Sequence, residues 1–403
     1  MSADPSLKAA GAPTQPALTA RLVFLLACAC GLLVGSLYYI QPLVGPVAAS
    51  IGLAGSAAGL LVTAPLAGYG LGLFALVPLA DLHENRRLVI GMLAVHALCL
   101  ALLSVVHAAW LFLAVAFVLG MAASCAQILI PLSTFLAQSH EQGKVVGRLV
   151  SGVMAGIMLA RPLASGIADA WMLRGAFAIG APVSVLLAVL LARNLPARVP
   201  VSPPRYGALL VSMGHIIVEF PVLRRRGFYH GCMFGAFATF WTGAPLWLSG
   251  PTWGLTQRGI ALVGLVGAAG AIAPWLAGPL ADRGHARTGT LGAMLIGAVA
   301  MYATLLCQSG SALALAGILA AAVALDLAVA ANLVFSQRAI YALDPSRRGR
   351  INSIFMTSFF IGCALASSAS AWQYAHTGWV GVAALAGTLP LIALVRAFTA
   401  RGD

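Results

Sequence analysis

Long apolar stretches, broken by short polar ones, run almost the whole length of the chain. Twelve of them approach or exceed the length needed to cross a bilayer: residues 22–44, 55–78, 88–106, 109–137, 147–168, 175–193, 226–248, 256–280, 289–307, 311–337, 350–372 and 379–397. A helical crossing takes about 20 apolar residues. In lipid every backbone N–H and C=O has to be bonded within its own segment, so runs of this kind predict helices. The predicted fold class is therefore all-α and polytopic, with twelve transmembrane helices and mostly antiparallel neighbours. Residues 1–21, small, polar and proline-bearing, read as a tail. The apolar run after them is too long for a cleavable signal, and many more follow it. Trp110, Trp171, Trp253, Trp372 and Trp379 fall at the ends of spans on one side, where an interfacial aromatic belt is expected.

The longest break, residues 194–225, divides the chain into a first half at 22–193 and a second at 226–403. It opens on Pro196, Pro200, Pro203 and Pro204. After these, Tyr206, Leu209, Leu210, Met213, Ile216, Ile217 and Phe220 recur at helical spacing. Arg205, Ser212, His215 and Glu219 fall elsewhere on the wheel. Two readings stand side by side: an amphipathic helix on the membrane surface, and a structured linker packed on the bundle. The halves repeat one another. Pro78-Leu79-Ala80-Asp81 returns half a chain length later as Pro279-Leu280-Ala281-Asp282, and Gly147-Arg148 with Ser151 and Met154 returns as Gly349-Arg350 with Ser353 and Met356. A parallel repeat predicts two six-helix bundles related by an axis along the membrane normal, with a substrate site between them near the midplane.

Composition agrees, with 61% hydrophobic and only 8% charged residues. The net charge of +13 raises the question of a nucleic-acid partner, and its placement answers it. Almost every Lys and Arg falls on the side of the termini, while the other side receives Arg174 and Arg258. That asymmetry predicts cytoplasmic termini; it is not the continuous basic surface that nucleic acid requires. All seven cysteines lie inside spans, away from any loop where a disulfide would form, and read as small packing residues.

The repeated loops resemble a known signature. Gly278-Pro-Leu-Ala-Asp282-Arg283-Gly284, with Arg287, is similar to the Gly-x-Leu-Ala-Asp-Arg-x-Gly motif of the major facilitator superfamily. The first copy keeps Asp81, Arg86 and Arg87 but departs at Val77, Leu82 and Glu84. Tyr38-Tyr39-Ile40-Gln41-Pro42 and Ala342-Leu343-Asp344-Pro345 resemble the bacterial drug and metabolite efflux branch, a proton-antiporter group. The resemblance implies rocking of two six-helix halves around a central site. It also implies a gate latched by Asp81, Arg86 and Arg87 in one half and Asp282, Arg283 and Arg287 in the other. Gly152, Gly156, Arg161, Pro162 and Gly166 resemble the exporters' antiporter motif, with Arg161 where that family has glycine. The arginine that exporters carry in span four is replaced near Ala116. The family's usual proton route is therefore altered here.

Of ten acidic residues only Asp326 lies deep in a span, about 16 Å from the nearer end at 1.5 Å per residue. Arg161 is the one deeply placed base, at about 20 Å. An ionisable group at such depth is a functional hypothesis by default. Asp326 has three readings: a proton carrier, a structural ion pair with Arg161 across the halves, or a substrate-binding or locally bonded carboxylate. Tyr38, Tyr39, Gln41, Gln127, Thr239, Phe240, Trp241 and Asn332, on spans one, four, seven and ten, are the cavity candidates. His83-Glu84 begins like a zinc-protease motif, but Arg87 stands where its second histidine belongs. There is no nucleophile elbow and no phosphate loop, so an enzyme and an ATP-driven pump are not expected, and neither is a cofactor or metal.

The expected function is secondary active export of a small organic molecule against proton entry, by a monomer in a plasma or bacterial inner membrane. Its expected partners are the lipid bilayer, the substrate and protons. An importer of a sugar or other metabolite with the same fold is the alternative. A membrane sensor or membrane enzyme is the reading from a different class.

Overall fold

The computed structural model describes residues 19–138, 141–199, 205–344 and 347–399. The tail expected at 1–21 lies almost wholly outside these, as does Pro345 of the Ala342–Pro345 motif. All regular structure among the described residues is helical. The first six spans are Ala20–Ser50, Gly55–Asp81, Asn85–Val105, Ala109–Leu136, Gln142–Ala170 and Gly175–Asn194. Span seven is Pro221–Leu248. Span eight is broken into Gln257–Val266, the 3-10 segment Gly267–Ile272 and Ala273–Asp282. Spans nine and ten are Ala286–Leu306 and Ala312–Tyr341. The last two spans share one helix, Arg348–Thr399, divided at Gly378, whose φ of 62° and ψ of −151° break the helical path. Only glycine adopts that conformation without strain.

Spans one to six pack mainly on one another, and spans seven to twelve do the same. The closest crossings are made by glycines. A Cβ on Gly31 would lie 2.7 Å from Gly152 O, and one on Gly35 would lie 2.8 Å from Gly156 O. Spans one and five therefore touch backbone to backbone, as small residues permit in lipid, where close packing rather than hydrophobicity drives association. The Gly152-x-x-x-Gly156 spacing has a structural use here, and it fixes Arg161 of span five beside the broken middle of span one.

The boundary expected at residue 226 moves to Pro221. Proline at the first helical position starts the helix without losing a hydrogen bond, and the arginine run enters the helix. Arg226 is buried there, and its Nη1 donates to Thr290 Oγ1 at 2.9 Å. The linker is a helix, Tyr206–Glu219, meeting span seven at 88°. It packs on the bundle through buried Leu209, Met213 and Ile216. Tyr206 donates to Ala75 O of span two, and Arg350 donates to Ser212. Arg347 closes its end with two 2.8 Å hydrogen bonds to Glu219, which hold that carboxylate below its usual range.

The aromatic belt needs correction. Trp110, Trp171 and Trp372 are exposed, but Trp379 is buried and stacks on Trp247 at 4.1 Å, and Trp253 packs edge-on against the same ring. These two seal the end of the second half instead of facing lipid.

Candidate functional site

The site begins where span one loosens. After Gly35 its helix gives way to two short 3-10 segments, Ser36–Tyr38 and Gln41–Leu43, with Pro42 inside the second. The break turns Tyr38 and Gln41 to the same side, onto Arg161. Arg161 Nε donates to Gln41 Oε1 at 2.8 Å. Its guanidinium carbon lies 5.3 Å from the centre of the Tyr38 ring, 5.1 Å from Phe237 and 4.4 Å from Trp241. Desolvated contacts of this kind contribute about 2 kcal/mol each, enough to help keep a cation in a place that otherwise disfavours it.

Asp326 approaches from the other half. Trp241 Nε1 donates to its Oδ1 at 3.0 Å. Trp241 therefore touches the cation with its ring face and the carboxylate with its ring nitrogen. Span eight passes between the charges. A Cβ on Gly267 would meet Asp326 Oδ2 at 2.9 Å, the Trp241 ring at 2.9 Å and Arg161 Nη1 at 3.3 Å. Only a residue without a side chain fits there. The two charges interact but make no direct ion pair at 4 Å or less; Trp241 and the Gly267 backbone stand between them.

Three buried donors have no acceptor among the described residues: Arg161 Nη2 and Gln41 Nε2 at the centre, and Asn332 Nδ2, six residues along span ten from Asp326. A buried donor left unpaired costs about 1–3 kcal/mol. Beside Arg161 a small cavity, touched by Pro42, Trp241 and Gly264, has a volume of about 10 Å³, room for about one water molecule.

The other expected site residues are scattered around this centre. Tyr39 packs edge-on against Phe177 of span six, inside the first half. Gln127 donates to the Tyr69 hydroxyl, and the Tyr69 ring lies 4.6 Å from Phe360 of span eleven. Thr239 bonds the carbonyls of Gly235 and Ala366. Phe240 packs on Trp241 and Trp379. Asn332 Oδ1 lies 3.1 Å from His230 Nδ1. Two central residues were not foreseen. Phe237 lies four residues before Trp241 on the same helix face, and with His230 and Phe234 it forms an aromatic stripe along span seven. That helical spacing was the signal available. Gly267 had none, being one glycine among 44.

The expected gate residues bond within their own half or stand alone. Arg86 donates to Ala192 O, and Arg87 pairs with Glu84 at 2.8 Å. Asp81, Arg283 and Arg287 are exposed, and their side chains make no hydrogen bond or ion pair among the described residues. The Asp282 side chain lies outside them. On the face away from the termini the halves do meet. Thr63 Oγ1 donates to Ala364 O at 2.7 Å, Ser367 Oγ donates to Gly59 O, and Arg258 pairs with Asp169 at 2.5 Å.

Comparison with known proteins agrees with this architecture. Residues 23–342 match the family model described as Major Facilitator Superfamily. The chain is 36% identical over 382 residues to "Uncharacterized transporter YgaY" of Escherichia coli O157:H7, covering 94% of this chain and 95% of that one. It is 28% identical to "Probable transporter SCO4007" of Streptomyces coelicolor, covering 87% and 81%. Among solved structures, a bacterial homologue of the human lysosomal transporter Spinster, inward-facing and occupied, superposes with a TM-score of 0.75 at 14% identity, covering 94% of this chain and 96% of that one. A variant of the nucleoside transporter NupG gives 0.75 at 13% identity, covering 93% and 99%. At those identities the structures speak to the fold. The matched length and the YgaY relation settle the family: this multi-pass membrane chain belongs to the major facilitator superfamily of transporters.

Proposed function

We propose that the chain is a secondary active transporter that exports a small organic molecule against proton entry, as a monomer in a plasma or bacterial inner membrane with both termini cytoplasmic. The observation that carries this reading is the placement of Asp326 and Arg161, buried, on opposite halves and against one shared ring, Trp241. Removing one charge of such a set strands the other, at about 3–5 kcal/mol. The protonation state of Asp326 is thereby tied to how the halves pack. With Oδ1 held by Trp241, Oδ2 remains to take either a proton or a donor group of the substrate. That competition is the elementary requirement of antiport. With cytoplasmic termini, halves that meet on the far face and have no bond between the described gate residues on the near one correspond to an inward-facing state.

One observation favours a second reading. The orphaned atoms on Arg161 and Gln41 are donors, and they fit an acceptor-bearing substrate such as an organic acid. Such a substrate would bind together with a proton on Asp326, which makes the cycle a symport.

Everted vesicles with an imposed pH gradient test both, using paired organic acids, neutral amides and amines. Asp326→Asn keeps the shape of the carboxylate but cannot change charge. It is expected to abolish gradient-driven movement in either reading while passive exchange survives. Accumulation of an amine or neutral compound in exchange for protons supports export; co-movement of an acid with protons supports the second reading. If Asp326→Asn lowers folded yield and Arg161→Gln added to it restores yield and transport, the pair is structural. Full gradient-driven transport in Asp326→Asn overturns every coupling role for Asp326.

A further inference from the structure

A second polar feature lies far from the centre, where the terminal ends of spans seven and twelve meet. A groove of about 410 Å³ opens there between Pro221, Arg224, Arg225, Phe228 and Arg396. It is layered by depth. The three arginines sit in the first turns of span seven and the last turn of span twelve, at the level where a helix leaves the hydrocarbon. One turn deeper, about 6 Å at 1.5 Å per residue, Phe228 of span seven and Ile392 of span twelve are exposed, as is Val395, next to Arg396 in the sequence. Among the described residues, none that lines the groove is acidic. The N-terminus of the 28-residue helix Pro221–Leu248 adds its partial positive charge at the same place. Arg224 is fixed in position, because its Nη1 donates to Ile217 O and Val218 O of the linker helix at 2.7 Å.

We infer that this groove binds the headgroup of an anionic phospholipid in the leaflet on the side of the termini. The match is chemical at both levels. A phosphodiester oxygen accepts guanidinium hydrogen bonds, which are strong when charge-assisted and bidentate, and acyl chains cover Phe228, Ile392 and Val395. A zwitterionic headgroup would set its own cation among three arginines. Free phosphate would leave the apolar floor in contact with nothing it recognises. Basic pockets at the mouths of membrane helices take anionic headgroups for this reason. Arg224 also caps the last carbonyls of the linker helix, so the bound lipid stiffens the junction where linker and span seven meet at 88°.

The test uses the full chain purified in a neutral detergent and given phosphatidylglycerol, phosphatidylcholine or inorganic phosphate, with thermal midpoint and retained lipid as readouts. Phosphatidylglycerol is expected to raise the midpoint and to be retained at least several-fold over phosphatidylcholine. Arg224→Gln/Arg225→Gln/Arg396→Gln is expected to lose that preference. Because Arg224 holds the linker, the triple variant can misfold; Arg396→Gln, at an exposed helix end, keeps the fold and is expected to lower retention about twofold or more by removing one charge-assisted contact. Equal retention of the two lipids overturns the inference. So does unchanged preference in Arg396→Gln, or a phosphate-induced shift as large as that from phosphatidylglycerol, which would mark an ion site without lipid specificity.

Discussion

On the face away from the termini, spans two and eleven approach so closely that a Cβ on Gly59 would lie 2.5 Å from Ser367 O and 2.8 Å from Ser368 Cα. Hydroxyls of Thr63, Ser367 and Ser368 then bond across the gap. On the terminal face Asp81, Arg148, Arg283 and Arg287 of the repeated loops are exposed, and a Cβ on Gly147, Gly278 or Gly349 would meet nothing within 4 Å. The difference concerns what each face loses on opening. A seal of small residues and carbonyls depends on sub-ångström fit and gives up neutral hydrogen bonds to water. A seal of charges tolerates poor fit, and its open state is stabilised because water solvates the separated ions. One face is governed by shape and the other by charge.

The largest effect is expected where shape governs. Gly59→Leu cannot fit between spans two and eleven as they stand, and such overpacking costs about 1–3 kcal/mol. The closed far face should lose population by about tenfold, and transport should fall with it while the protein still inserts. Labelling of Ala244→Cys, which lines the small cavity beside Arg161, from the far side should rise in a background with the seven native cysteines replaced. Unchanged labelling with unchanged transport would mean the crossing is looser than this geometry.

A smaller effect is expected where charge governs. Asp81 has no partner among the described residues, so Asp81→Asn loses nothing there, and the cost falls on the state in which the terminal face closes. A latch of ordinary coupling strength lowers transport about fivefold or more, with a milder effect for Asp282→Asn if the halves are unequal. Wild-type transport in Asp81→Asn would reduce the repeated loops to topology markers.

The two kinds of region were not equally legible in the chain. Asp326 and Arg161 stood out because depth follows from counting residues, and ionisable groups are rare at that depth. The two families of spans followed from apolar length and the repeated loops. Which of two adjacent tyrosines faces Arg161 did not follow, since the answer depends on the 3-10 break around Tyr38 and Gln41. Trp241 was a pore-lining candidate among several; its double contact with Arg161 and Asp326 required knowing how span seven is rotated. Trp379 misled because a tryptophan at a span end is compatible with lipid or with a neighbouring ring, and only packing on Trp247 decides. The far-face seal left almost no trace, being made of Gly, Ser and Thr, which occur throughout the spans. Arg258 was visible only as a charge on the sparse side, because its partner Asp169 comes from the other half.

That pair is the place where shape and charge meet on one face, and it gives the smallest expected effect. Arg258 and Asp169 bridge the halves at 2.5 Å, but the arginine side chain is 78% exposed. An exposed ion pair contributes at most about 1 kcal/mol and weakens with salt. Arg258→Gln is therefore expected to open the far face by less than about fivefold, much less than Gly59→Leu, with transport changing by about twofold at low salt. At high salt the difference from wild type should vanish, since screening removes the same interaction. The exchange Arg258→Asp with Asp169→Arg restores the attraction with its sign reversed and should recover wild-type labelling of Ala244→Cys, which either single reversal should not. If Arg258→Gln instead matches Gly59→Leu in size and ignores salt, charge holds the far face as well, and the contrast between the two faces fails.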